Sequence, residues 1–265
     1  MKKIWAIARK EWGEVFKNRL VLFSVSFMPL IFTAIPLVML YSIGDVPDSA
    51  DMTEMIGALM AVADQFCGTL NQAECAQFLL LQQYMVLFLL LPAIIPITIA
   101  SYSIVGEKTT HTLEPLLATP ITTTQLLAGK AVAAAIPAIV ATLVGYSIFV
   151  AGVSVLAVST AVARQLFSPL WMLGIFGVGP LLSIAGVSLA VMISSRVNDP
   201  RVAEQVSALV LLPIMAVFMG QIFGAVVLNL QLMLVIALGL IVVDAALLFF
   251  ATQLFQRETI LTRWK

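Results

Sequence analysis

Six stretches of this chain are each long enough to cross a bilayer and nearly free of charge, and they leave few folds open to it. A hydrocarbon core about 30 Å thick needs about 20 apolar residues at a rise of about 1.5 Å each. The runs at 20–43, 78–105, 130–158, 169–194, 205–228 and 231–255 meet that length. They are continuous, whereas the strands of a membrane barrel alternate in character over about ten residues. Charged residues make up 11% of the chain and hydrophobic ones 61%, with a mean hydropathy of +1.07. A soluble domain carries about a quarter charged residues, so too little charge is present to coat a water-facing surface. The fold class is therefore an all-α membrane protein, a single transmembrane domain over residues 1–265 with six transmembrane helices. The run at 20–43 is too long for a signal-peptide core and ends without an A-x-A site, so it reads as a retained helix.

Pro29, Pro36, Pro92, Pro96, Pro137, Pro180 and Pro213 all fall inside or beside these runs. In a bundle, neighbouring helices satisfy the carbonyls that proline frees, so these residues are expected to kink the helices and not to end them. Between the last two runs only Asn229, Leu230 and Gln231 look like a turn. Those runs either both span or form a partly re-entrant hairpin.

The charges give an orientation. Lys2, Lys3, Arg9, Lys10, Lys17 and Arg19 precede the first helix, and Lys108 and Lys130 bracket the connection between the second and third. Arg196 and Arg201 lie between the fourth and fifth helices, and Arg257, Arg263 and Lys265 follow the sixth. With six crossings all of these share one face, which the positive-inside rule makes cytoplasmic; only Arg164 of the 14 Lys and Arg falls opposite. The 44–77 loop, on the outer face, holds Asp45, Asp48, Asp51, Glu54, Asp64 and Glu74 and no basic residue. Net charge is zero, and nothing points to a nucleic-acid partner.

Within that outer loop Met52, Met55, Ile56, Leu59, Met60 and Ala63 recur at helical spacing, as in a short amphipathic helix on the membrane surface. Gly68 is placed to end it, and Asn71 with Glu74 resembles a capping box. Cys67 and Cys75 then flank a tight turn on the side where disulfides persist. A bond between them and two separate buried thiols both remain open.

The connection at 106–129 holds more than a turn needs. Leu113, Leu116 and Leu117 are spaced as one face of a two-turn helix, with charged residues before it, Pro115 in its first turn and Pro120 as its stop. Thr122, Thr123 and Thr124 offer N-caps for the third helix. Such a helix either docks in a partner's groove or lies on lipid. The N-terminal segment 1–19 is also amphipathic: Trp5, Ala8, Trp12, Val15 and Phe16 form a stripe, as in interfacial helices that bind membrane lipids.

Gly106-Glu107-Lys108, Thr112-Leu113-Glu114, Leu116-Leu117-Ala118-Thr119-Pro120 and Leu126-Leu127-Ala128-Gly129-Lys130 resemble the signature of ABC-2 type permeases over about 25 residues. His111 departs from it, standing where the family commonly has glycine. The resemblance implies an ABC-2, type V exporter-like transmembrane domain, the membrane permease of a prokaryotic exporter in the plasma membrane. It makes the 106–129 segment a coupling helix that docks a cytoplasmic ABC ATPase through Glu107, Lys108, His111, Leu113, Glu114, Leu116 and Leu117. It also makes the N-terminal segment the helix packed beside it, and it implies a homodimer or a heterodimer with a sister permease.

No G-x-x-x-x-G-K-[ST] motif occurs in the chain, so no cofactor is expected on it, and ATP and Mg would belong to the partner ATPase. The single histidine, His111, lies in a loop, which argues against a metal site and against a membrane-embedded enzyme. A secondary transporter is the other alternative, though no convincing repeat supports it. Within the helices Asp244, and more weakly Gln221, are candidates for the substrate pathway. A hydrogen-bonded carboxyl is the competing reading for Asp244, and an interhelical hydrogen bond for Gln221.

Overall fold

The structure, a computed structural model, describes residues 2–45, 67, 70–109 and 122–254. The outer-loop stripe from Met52 to Ala63 and the coupling residues His111, Leu113, Glu114, Leu116 and Leu117 lie outside the described residues. Elsewhere the chain is helical, with no strand among the described residues. It begins with α1 (Lys2–Val15), α2 (Arg19–Asp45), α3 (Gln72–Phe88), α4 (Leu91–Thr109) and α5 (Thr123–Leu156). The short α6 (Thr160–Arg164) and α7 (Pro169–Met172) lead through a π-helical stretch (Leu173–Val178) into α8 (Gly179–Ser194). Then follow α9 (Pro200–Ser207), a 3-10 turn (Ala208–Leu211), α10 (Leu212–Ile222) and α11 (Leu230–Leu254).

These elements make six segments long and apolar enough to cross a membrane: Val21–Ile43, Ala73–Glu107, Thr124–Leu156, Thr160–Ser194, Pro200–Ile222 and Leu230–Gln253. Several boundaries differ from the sequence reading, for local reasons. The second helix begins at Gln72, six residues before the expected 78, because the Asn71 N–H donates to Glu74 Oε2 at 3.0 Å and caps it there. The third begins at Thr123, not 130, because Thr122 Oγ1 accepts from the Gln125 N–H at 3.2 Å. The fifth ends at Ile222, and Gly224, with φ +67, helps turn the chain through a connection longer than Asn229–Gln231. Both final segments have the length to span, so no re-entrant hairpin is required.

Pro29, Pro36, Pro96 and Pro137 lie inside helices, as expected, whereas Pro92, Pro180 and Pro213 stand in the first turns of α4, α8 and α10, where the chain starts a new helix; two of the carbonyls that the interior prolines free are met by other helices. Pro96 has no N–H for the Pro92 carbonyl, and Ser183 Oγ of α8 donates to that oxygen at 2.7 Å. Pro137 likewise leaves the Ala133 carbonyl open, and Trp12 Nε1 of α1 donates to it at 2.8 Å. This is the remedy available to a helix buried away from water. Pro92 also explains why the second segment breaks at Leu89 and Leu90, just before the ring would crowd the preceding turn.

The second segment is the hub. Of its apolar window 83% is buried, against 11% for the sixth segment and 17% for the fifth. Its C-terminal half, α4, packs along α8, α5 and α9, with α2 against α5 and α11 against α8. Gly186 of α8 allows close approach to a neighbouring backbone: a Cβ there would lie 3.0 Å from the Ala93 carbonyl oxygen. Small residues on this helix therefore serve packing.

Candidate functional site

The charged residues at one end of the bundle are drawn inward and not left in water. Lys130, in the second turn of α5, has a side chain only 3% exposed. Its ammonium lies 2.9 Å from Glu11 Oε1 of α1 and 2.6 Å from Glu107 Oε2 of α4, and donates to Ser103 Oγ at 2.9 Å. Ser103 Oγ in turn donates to Glu11 Oε2. Lys10 reaches Glu107 Oε1 at 2.8 Å and lies 3.6 Å from Glu14. Two buried carboxylates thus meet two ammonium groups and close a neutral cluster, the condition under which charges survive out of water. Partial burial pulls the Lys10 pKa down, but the Glu107 hydrogen bond and the carboxylates of Glu107, Glu11 and Glu14 outweigh it and hold it above its ordinary 10.5.

Sequence and geometry meet at this point. Glu107 is in the last turn of α4 and Lys130 near the start of α5, so their ion pair draws together the two ends of residues 110–121. α1 is locked to the same joint by Glu11, by Lys10 and by Trp12 on the Ala133 carbonyl. Gly129 lets α1 come that close, since a Cβ on it would meet Ile7 Cγ2 at 2.7 Å.

The buried face of α1 therefore differs from the expected stripe. Ile7, Ala8, Glu11 and Val15 are buried, while Trp5 is 55% exposed. The helix turns a carboxylate toward α4 and α5, because that face packs on protein and an ammonium waits there. Sequence reasoning missed Glu11, Lys10, Ser103 and the inward role of Lys130. The signal for Glu11 was its place one turn from Ala8 and from Val15, on a single helical face.

Among the other candidates, Glu107 belongs to this cluster and Lys108 lies in the last turn of α4. Asp244 lies on α11, 5% exposed, and neither of its carboxylate oxygens has a hydrogen-bond partner among the described residues. Gln221 sits at the end of α10, not in mid-span, because that helix stops at Ile222. The two are not part of the cluster. Cys67 and Cys75 are joined in a disulfide with their Cα atoms 5.3 Å apart, tying the loop to the first turn of α3.

The whole chain, and not the joint alone, can be compared with known families. Residues 5–258 match the family described as ABC-2 family transporter protein. The chain belongs to the ABC-2 transporter family. A comparison with curated proteins found no match. As an ABC-2 family member it is a multi-pass membrane component of an ABC transporter, a transport subunit that is not itself catalytic. Members of this family generally work with an ABC ATPase. The residues quoted for the resemblance, Gly106 to Lys130, fall within the matched span. Two of them, Glu107 and Lys130, are partners in the buried cluster.

Proposed function

We propose that this chain is the permease subunit of an ATP-driven exporter and that residues 106–129 dock a separate cytoplasmic ATPase. The observation that carries the reading is the Glu107–Lys130 pair at 2.6 Å. A loop that only joined two helices would need no buried ion pair at its base, whereas a segment that transmits force needs a stiff root. The partner binds ATP and Mg, and this chain binds no cofactor. Glu107 and Lys108 stand at the root, and His111, Leu113, Glu114, Leu116 and Leu117 form the docking surface. Two copies, or one copy with a sister permease, complete the transporter in a prokaryotic plasma membrane with both termini cytoplasmic.

The test pairs the permease with an ABC ATPase that co-purifies with it. In Leu116→Glu/Leu117→Glu, membrane insertion stays intact while ATPase binding falls at least tenfold and nucleotide-dependent transport is lost. Unchanged ATP-dependent transport in that variant refutes the docking surface. Asp244 supports one other reading, transport driven by an ion gradient, since its buried carboxylate has no hydrogen-bond partner among the described residues. Flux that follows a proton or sodium gradient without any ATPase would establish that alternative.

A further inference from the structure

Between α2 and α5 the bundle has an apolar groove of about 420 Å³. Phe16, at the junction of α1 and α2, lines it, with Ser26, Pro29 and Leu30 of α2 and Pro137, Val144 and Ile148 of α5. Pro29 and Pro137 are interior prolines, so each helix is bent beside the groove, and bent helices part locally. Further along, the two helices close again. A Cβ on Gly152 would meet Leu37 Cδ1 at 2.5 Å.

Three properties say what fills the groove. The first is its lining, in which Ser26 has the only polar side chain among the described residues. A water needs two to four polar partners to settle, so an apolar cavity stays dry. The second is its depth. From Arg19 to Leu30, and again from Pro137 to Ile148, the chain advances eleven residues, about 16 Å of helix at about 1.5 Å each. One leaflet of a hydrocarbon core about 30 Å thick is about 15 Å deep. The groove therefore reaches from the basic end of the bundle to about mid-span, the reach of one lipid tail. The third is the charge at that end. Lys17 and Arg19 are exposed and form no ion pair among the described residues, whereas Lys10 and Lys130 are taken up by the ion cluster. Long basic side chains at a helix end reach the level of lipid phosphates. A second copy of the chain suits the groove poorly. In the same orientation it brings its own basic end to the same depth, where like charges repel.

We propose that this groove holds one tail of an anionic phospholipid, with the lipid's phosphate against Lys17 and Arg19. The tail supplies the contacts that the two bent helices do not make with each other. The site requires only that the chain crosses a membrane. The orientation proposed above adds that the leaflet is the cytoplasmic one.

The test uses the purified full-length protein in phosphatidylcholine vesicles that carry a small share of a phospholipid with a photoreactive diazirine in its tail. Phosphatidylglycerol and phosphatidylcholine probes with the same tail are compared, and labelled peptides are mapped by mass spectrometry. Phosphatidylglycerol labels the 22–30 and 137–148 stretches at least about fivefold more than phosphatidylcholine does. The exposed 235–242 stretch of α11 is labelled equally by both. In Lys17→Gln/Arg19→Gln the phosphatidylglycerol signal in the groove falls to the phosphatidylcholine level. Val144 is exposed, so Val144→Trp fills the groove from its open side and removes the labelling, whereas Val242→Trp on α11 does not.

Equal labelling of the groove by the two probes overturns the proposal. Groove labelling no denser than that of α11 also overturns it, because that is the pattern of ordinary surrounding lipid. A Val144→Cys protein that oxidises to a linked dimer, with the groove unlabelled, puts a second copy in the site and overturns the lipid. If Val144→Trp does not insert, Ser26→Phe is read in its place, and full groove labelling in that variant overturns the proposal. No ATPase is present, so failure of the docking role proposed above leaves each of these results unchanged.

Discussion

Lys130 shows how much one residue's meaning depends on its surroundings. Counted along the chain, it is one of the basic residues that orient the connection between the second and third helices. In the fold it is an ammonium held between Glu11 and Glu107, with Ser103 as a further partner. Truncating it leaves two carboxylates facing each other out of water. Lys130→Met should therefore cost about 3–5 kcal/mol, the usual penalty for leaving buried charges without a partner. A melting series in detergent with Lys130→Met alone and with Glu11→Gln and Glu107→Gln added checks this. The triple variant should recover most of the loss, since apolar or neutral replacement of a whole buried ion group is often close to neutral. A similar melting temperature for the single and triple variants would contradict the cluster. The position of Glu107 in a signature was legible in sequence; its partner on α1 was not, because Glu11 and Lys130 are 119 residues apart and only packing brings them together.

The elements show the same division. That proline would kink these helices follows from its missing N–H, and the sequence reading anticipated that neighbours would satisfy the freed carbonyls. Which neighbours do so depends on how the helices cross. Trp12 serves the Ala133 carbonyl and Ser183 the Pro92 carbonyl. Aromatic spacing on α1 suggested a membrane-facing stripe, but Trp12 turns its indole N–H to α5 while Trp5 stays exposed. This arrangement has a specific consequence. Trp12→Phe keeps the ring but strands a buried carbonyl, so it should cost about 1–3 kcal/mol. Pro137→Ala restores an N–H four residues after Ala133, and in that background Trp12→Phe should cost much less. A double-mutant cycle by thermal unfolding measures the coupling. Additive effects would mean that Trp12 contributes through its ring alone.

Across the whole molecule, burial is concentrated in the second and fourth segments, while the first, third, fifth and sixth turn most of their apolar surface outward. In a soluble protein exposed residues such as Val235, Val242 and Phe249 would be a liability; in a membrane an apolar surface of this kind is at home in lipid. Two glycines separate the core from the periphery. At Gly186, on the α4–α8 seam, a Cβ meets the Ala93 carbonyl oxygen at 3.0 Å, while at Gly239 on α11 it meets nothing within 4 Å. Gly186→Ala should destabilise by about 1–3 kcal/mol as an overpacked contact. Gly239→Ala should stabilise by up to about 1 kcal/mol through helix propensity. Melting temperatures that shift in opposite directions support the central placement of the second segment, and equal shifts refute it.

The six apolar runs determined by themselves that this chain is a helical membrane protein, because a bilayer demands length and internal hydrogen bonding of anything that crosses it. The residues from Gly106 to Lys130 also carried the family resemblance. Only the tertiary structure decided which charges are buried and which residues meet. Glu11 with Lys130, Trp12 with a proline-freed carbonyl, and the glutamines of α3 with four other segments are all distant pairs. Periodicity shows which face of a helix is apolar, but crossing helices choose the partner for each polar group on it.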